Sequence, residues 1–197
     1  MNLEDTPLMS PVLEKQDALF WDSAGGGYFN TSGQDPHVSM RFKAEYDGAE
    51  PSPNSVAALN LLRLAQMAGS KRWRQQGERL LGAFAEKLRA DPRSLPQMLV
   101  ALDFDLGITR QIVLAGNPGA EDTQALIAAI HRQFIPNRIL LFADGGPAQE
   151  FLANQLDFIR TVRPLEGKAT AYVCEDYVCH LPTSDPAKVV ELLAQKK

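Results

Sequence analysis

The spacing of the apolar residues changes near residue 107, and that change confines the chain to a mixed architecture. As far as Leu106 the apolar positions recur at helical spacing, the signature of helices that bury one face. Beyond it, short β-branched and aliphatic runs alternate with turns and shorter helical stretches. An α+β fold follows, with a helical region over 1–107 and a small α/β subdomain over 108–197 whose short sheet is expected to be mainly parallel.

In the helical region Leu8 to Phe20 reads as a helix. The stretch "WDSAGGGYFNTSGQDP" ends it, because successive glycines remove helix propensity, and Tyr28 and Phe29 fit a short strand or hairpin arm. The next helix follows Pro53, with Asn54 or Ser55 as the expected N-cap. Its polar residues Asn60, Arg63 and Gln66 leave only a narrow exposed stripe, so it should be packed on several sides. Trp73, Gly77, Leu80, Leu81, Phe84 and Leu88 define a second amphipathic helix that should form an antiparallel hairpin with the first. Ser94 is expected to cap a third, with Met98, Leu99, Leu102 and Leu106 on its apolar face.

In the second region "QIVLA" (111–115) and "ILLFA" (139–143) read as strands. Between them Asp122 to Phe134 reads as a helix burying Leu126, Ile127, Ile130 and Phe134, which makes a right-handed βαβ unit with parallel strands. A helix around Gln149 to Phe158, strands at "ATAYVC" and "YVCHL", and a closing helix in "SDPAKVVELLAQ" complete the pattern, with Asp185 at its N-cap and Pro186 at N1.

The chain has 197 residues, 45% of them apolar, which suits a packed core. A net charge of −4 and the absence of a basic block argue against nonspecific nucleic-acid or anionic-membrane partners. No apolar run approaches a membrane span and the N-terminus lacks a signal-peptide pattern, so a cytoplasmic or organelle-matrix location is expected.

Three stretches carry candidate chemistry. "GNPGAED" after the first strand lacks the G-x-G-x-x-G spacing, and Glu121 and Asp122 put negative charge where a phosphate would sit, so structural packing is the better reading there and no cofactor is expected. The turn "ADGGP" at Asp144 reads as a loop after a strand. In "CEDYVCH", Cys174 and Cys179 are most simply packed free thiols; a hairpin disulfide, or a redox or metal role beside His180, are the alternatives, although four zinc ligands are not in view. The strongest site candidate is "KAEYDGAEPSPN". Asp47 and Glu50 could share acid and base work on a glycosidic or hydroxyl substrate, with Glu45, Tyr46 and Asn54 as ligand-binding neighbours. Equally, Asp47-Gly48 and Pro51-Ser52-Pro53 could be plain turns, with Glu50 favouring the helix N-terminus.

The ordered set "LFWDSAGGGYF", "EYDGAEPSPNSVAALNLLRLA", "LPQMLVALD", "QIVLAG", "IPNRILLFADG" and "ATAYVCEDYVCHLPTSDP" closely resembles the C-terminal portion of the spermatogenesis-associated, thioredoxin-domain-containing (YyaL) family. The resemblance runs over nearly the whole chain. It implies that the helical region is part of an (α/α)6 toroid similar to six-hairpin glycosidases and sugar epimerases, preceded in the family by a thioredoxin-like domain that this chain lacks. In such toroids sugars bind in an acidic central funnel, which Asp47, Glu50, Tyr46 and Asn54 would partly line. A closed toroid needs about a dozen helices, more than this chain supplies. The isolated chain is therefore expected to be a noncatalytic structural or interaction module whose partners are another copy or the missing family domains. The alternative is a carbohydrate-binding or carbohydrate-active site in 45–54, with a sugar as ligand.

Overall fold

A computed structural model describes residues 9–34, 36–175 and 178–194. Leu8, which opens the expected first helix, Asp176 and Tyr177 of the expected hairpin, and Gln195 of the closing helix lie outside the described residues. The fold is α+β, and it divides between Leu106 and Gly107 into two compact units.

The first unit is helical. Helix α1 (Met9–Phe20) is followed by the glycine-rich loop, in which Trp21 and Tyr28 form an isolated antiparallel bridge and stack edge to face at 5.0 Å. Helix α2 (Pro53–Ala68) begins two or three residues earlier than the sequence suggests: Ser52 is the N-cap, its hydroxyl accepting from the Ser55 amide, with Pro53 at N1. Ser52 wins because Pro53 has no amide to satisfy and can itself open the helix. Gly69 closes α2 in the left-handed conformation, φ 63°. Ser70 then caps α3 (Lys71–Ala83), so two residues turn the chain back on itself and make the expected hairpin. At Gly77 the helices approach so closely that a β-carbon would stand 3.0 Å from Leu62.

After α3 come the short α4 (Ala85–Ala90), a 3-10 turn at Pro92–Ser94, and α5 (Pro96–Leu106). Leu61, Leu62, Leu80, Leu95 and Met98 are fully buried where α2, α3 and α5 meet. Each such side chain contributes about 1.5–3 kcal/mol by leaving water. Ser94 does not cap α5. Its hydroxyl turns back to the Asp91 carbonyl, and Leu106, expected on the apolar face, is 77% exposed at the end of the helix.

The second unit is a four-stranded sheet with helices. Strand β1 (Arg110–Ala115) leads through α6 (Glu121–His131) to β2 (Arg138–Ala143), and α7 (Pro147–Ala153) and a 3-10 turn (Asp157–Thr161) lead to β3 (Thr170–Glu175), β4 (Val178–Cys179) and α8 (Pro186–Ala194). The strand order is β2-β1-β3-β4. Only β1 and β2 are parallel; β3 runs against both β1 and β4, so the sheet is mixed, where the sequence suggested mainly parallel.

Ile112 and Leu114 of β1, Ala171 and Val173 of β3, Leu126 and Ile130 of α6, and Val189 and Leu193 of α8 form one buried cluster. Phe134 is not part of the α6 face. The helix ends at His131, and Phe134 falls in the turn beyond it, 94% exposed. The expected helix at 149–158 splits into α7 and the 3-10 turn. Asp185 accepts from the Ala187 amide at the start of α8, as its N-cap position requires.

Candidate functional site

The acidic turn separates into buried and exposed carboxylates. Asp47 is buried; Glu45, Tyr46 and Glu50 are exposed, the Tyr46 ring lying against Gly48. One Asp47 oxygen accepts from the Ser52 amide at 2.7 Å and the other from the Gln97 amide at 2.8 Å, while the Asp47 amide donates to the Ser94 carbonyl. This single carboxylate therefore sits at the N-termini of α2 and α5 and supplies the cap that Ser94 does not. Burial pushes its pKa up, but the Ser52 amide, the Ser55 hydroxyl, the Gln97 amide and the Ser52 hydroxyl outweigh that, and the net shift is downward. Such a group holds its proton poorly, and each of its oxygens already accepts a backbone amide. Among the described residues Glu45 and Glu50 make no side-chain hydrogen bond that would aim them at a common point.

Asn54 is wholly buried, and its amide grips the backbone of Tyr28 at both ends: the oxygen accepts from the Tyr28 amide at 2.7 Å and the nitrogen donates to the Tyr28 carbonyl at 2.9 Å. Gly27 allows this approach, with φ 77° and no room for a β-carbon between Asn54 and Phe84. The Tyr28 hydroxyl donates to Asp17 and receives from Gln76, and burial first, then Asp17, raises its pKa. Lys43 ties the other side of the loop, pairing with Asp22 at 2.8 Å and reaching the Gly26 carbonyl; that pairing, with the Gly25 and Ala24 amides, lowers the Asp22 pKa to about 2. The polar groups nearest the expected site thus hold the glycine-rich loop onto the helices.

Cys174 and Cys179 are paired as a disulfide across β3 and β4, their Cα atoms 3.9 Å apart as directly opposed residues. The reading as packed free thiols is therefore corrected: the hairpin brings the two positions opposite one another. Cys174 is buried and Cys179 exposed. Beside them Arg110 pairs with Glu175 at 2.6 Å and donates to the Leu193 carbonyl. Among the described residues no group of three or more His, Cys, Asp and Glu could hold a metal ion.

A cleft of about 820 Å³ lies where β1 and β2 end, lined by the Gly116–Pro118 loop, the Asp144–Gly146 turn, α7 and the segment around Arg160–Pro164. Sequence reasoning set these turns aside as loops. The signal for the cleft was the pair of parallel strands, whose carboxyl ends are the usual ligand crevice of such sheets. The dinucleotide alternative has no place there, since Asp122 itself accepts from the Thr123 and Ala169 amides at the α6 N-terminus.

No protein-family model matches the chain. It is 46% identical over 181 residues to human spermatogenesis-associated protein 20 and 43% identical over 183 residues to the mouse protein of the same name, alignments that cover 91% and 92% of this chain and 23% of each relative. The chain belongs to the spermatogenesis-associated protein 20 family. It corresponds to a C-terminal portion and spans about a quarter of the length of the curated relatives it matches. An uncharacterised Caenorhabditis elegans protein is 30% identical over 185 residues, again across 23% of its length. None of these names states a substrate or reaction, so the activity of the spermatogenesis-associated protein 20 family is unsettled by them. Among the described residues no helix is long and apolar enough to cross a membrane.

Proposed function

We propose that the chain acts as a noncatalytic structural and interaction module, its helical unit completing an (α/α) toroid with the remaining length of a family-type protein. The observation that supports this is the engagement of Asp47. The one buried carboxylate of the acidic turn is fixed by backbone amides of two helices, a capping role in which a proton acceptor is of no use. Val12, Met40, Phe42, Val56 and Val100 of the same unit are exposed apolar side chains, the kind of surface that further helices would cover. The partner is the rest of a family-length chain, or failing that a second copy, with no nucleic acid or membrane involved. A cytoplasmic or organelle-matrix location belongs to the same reading. A reducing cytoplasm would hold the Cys174–Cys179 bond open, so a thiol count on protein quenched directly from cells reports the compartment.

The competing reading is a carbohydrate site in 45–54, and what favours it is the exposed Tyr46 ring between Glu45 and Glu50. One experiment separates the two. Light scattering of the chain alone and mixed with the remaining portion of a relative should give a stoichiometric complex, and a thermal-shift screen against mono- and disaccharides should give none that Glu50→Gln abolishes. A strict monomer that binds neither that portion nor an apolar dye would overturn the module reading; a sugar-specific shift lost in Glu50→Gln would establish the other.

A further inference from the structure

We propose that the cleft at the ends of β1 and β2 binds a short peptide or peptide-like zwitterion, with Asp144 and Glu150 receiving its ammonium end and Arg160 and Arg163 its carboxylate. The walls are already braced. Gln149 accepts from the Gly145 amide and donates to the Ile159 and Val162 carbonyls, Asp144 accepts from the Gly146 amide, and Asn117 accepts from the Gly119 amide. These bonds fix the cleft without the charged tips, and a preformed cleft loses little order when a ligand arrives.

The charges are left over. Glu150 and Arg163 make no side-chain bond to any described residue, Asp144 keeps one oxygen unengaged, and Arg160 uses one nitrogen on the Ala153 carbonyl. Two acids and two bases thus share one opening, and no opposite pair among them comes within 4.0 Å. A ligand bearing both signs would neutralise them, whereas an anion or a cation alone meets like charge on half the rim.

Size and chemistry narrow the class. At about 820 Å³ the cleft lies within the ordinary range for small-molecule sites and exceeds a single amino acid. A polyphosphate is disfavoured, because Asp122 already occupies the α6 N-terminus. The corner after β1 reads Gly116-Asn117-Pro118-Gly119. That corner holds no thiol, so thiol redox chemistry has no residue to act through there.

The test is an amide-resolved NMR titration of the full chain at low salt with triglycine, with N-acetyl-triglycine amide and inorganic phosphate as controls. Triglycine is expected to shift the Asn117, Gly145, Gly146 and Arg163 amides, with weaker binding as salt rises. Glu150→Gln and Arg163→Gln should each weaken it about tenfold, while the unshifted remainder of each spectrum reports an intact fold. Shifts that are absent, equal for the blocked peptide, stronger with phosphate, or indifferent to both variants would overturn the proposal. The cleft belongs to the second unit alone, so a failed titration leaves the module reading of the helical unit untouched.

Discussion

The acidic turn before α2 and the strand-end cleft beside α7 use the same kinds of side chain in opposite ways. In the turn, Asp47 and Asn54 are buried and every strong acceptor they carry is taken by a backbone amide. In the cleft, backbone amides are satisfied by neighbouring side chains, and Glu150 and Arg163 are left facing an opening. Clustered charge in a sequence therefore does not by itself mark a site. What distinguishes a strut from a site is whether the fold has already supplied the partners.

The contrast is broken most sharply at Asp47. Asp47→Ala would leave the Ser52 and Gln97 amides without acceptors and should lower the unfolding free energy by about 3 kcal/mol, measured by urea denaturation. The same residue sets an acid dependence. Its folded pKa lies below the ordinary 3.8, so its contribution is present above the unfolded value and is lost as pH falls through the folded one. Stability of the native chain should thus fall below about pH 4, with a shallower fall in Asp47→Asn; equal slopes would return Asp47 to the list of available acids.

A second break tests the cleft wall. Gly116→Ala would place a β-carbon 2.6 Å from the Thr123 hydroxyl and 3.0 Å from Ala169, so β1, α6 and the start of β3 would have to separate. A loss of about 2 kcal/mol is expected, together with shifts at the cleft amides. A comparable loss of about 2 kcal/mol should follow reduction of Cys174–Cys179, which closes a short loop; unchanged denaturation with and without dithiol would show that the hairpin does not depend on the bond. The smallest effects sharpen the comparison from the other side. Glu50→Gln and Arg163→Gln should each alter stability by less than about 0.5 kcal/mol, since neither side chain is engaged, and a larger loss in either would mean that the side chain is part of the packed structure.

The sequence made the α2–α3 hairpin, the β1-α6-β2 unit and the Asp185 cap legible because each is encoded by neighbours: an apolar period, a turn, a residue and the amide two positions on. It could not show that Asp47 caps α5, whose donating amide, that of Gln97, lies fifty residues away. Nor could it show the direction of β3, or that three separated segments converge on a cleft, because those follow from tertiary packing. The misplaced Ser94 cap and the Phe134 face are the same lesson at short range. Ser94 fits the composition of a cap, yet α5 opens only at Pro96 and the Ser94 hydroxyl donates back to the Asp91 carbonyl, and Phe134 fits the α6 period, yet the helix had already ended.

The most direct measurement is an acid titration followed at the backbone amides of Ser52 and Gln97. If one carboxylate caps both helices, the two amide signals should move together with a single midpoint below 3.8. Separate midpoints, a common midpoint above 3.8, or no movement at either amide would contradict the claim that the acidic turn is a strut.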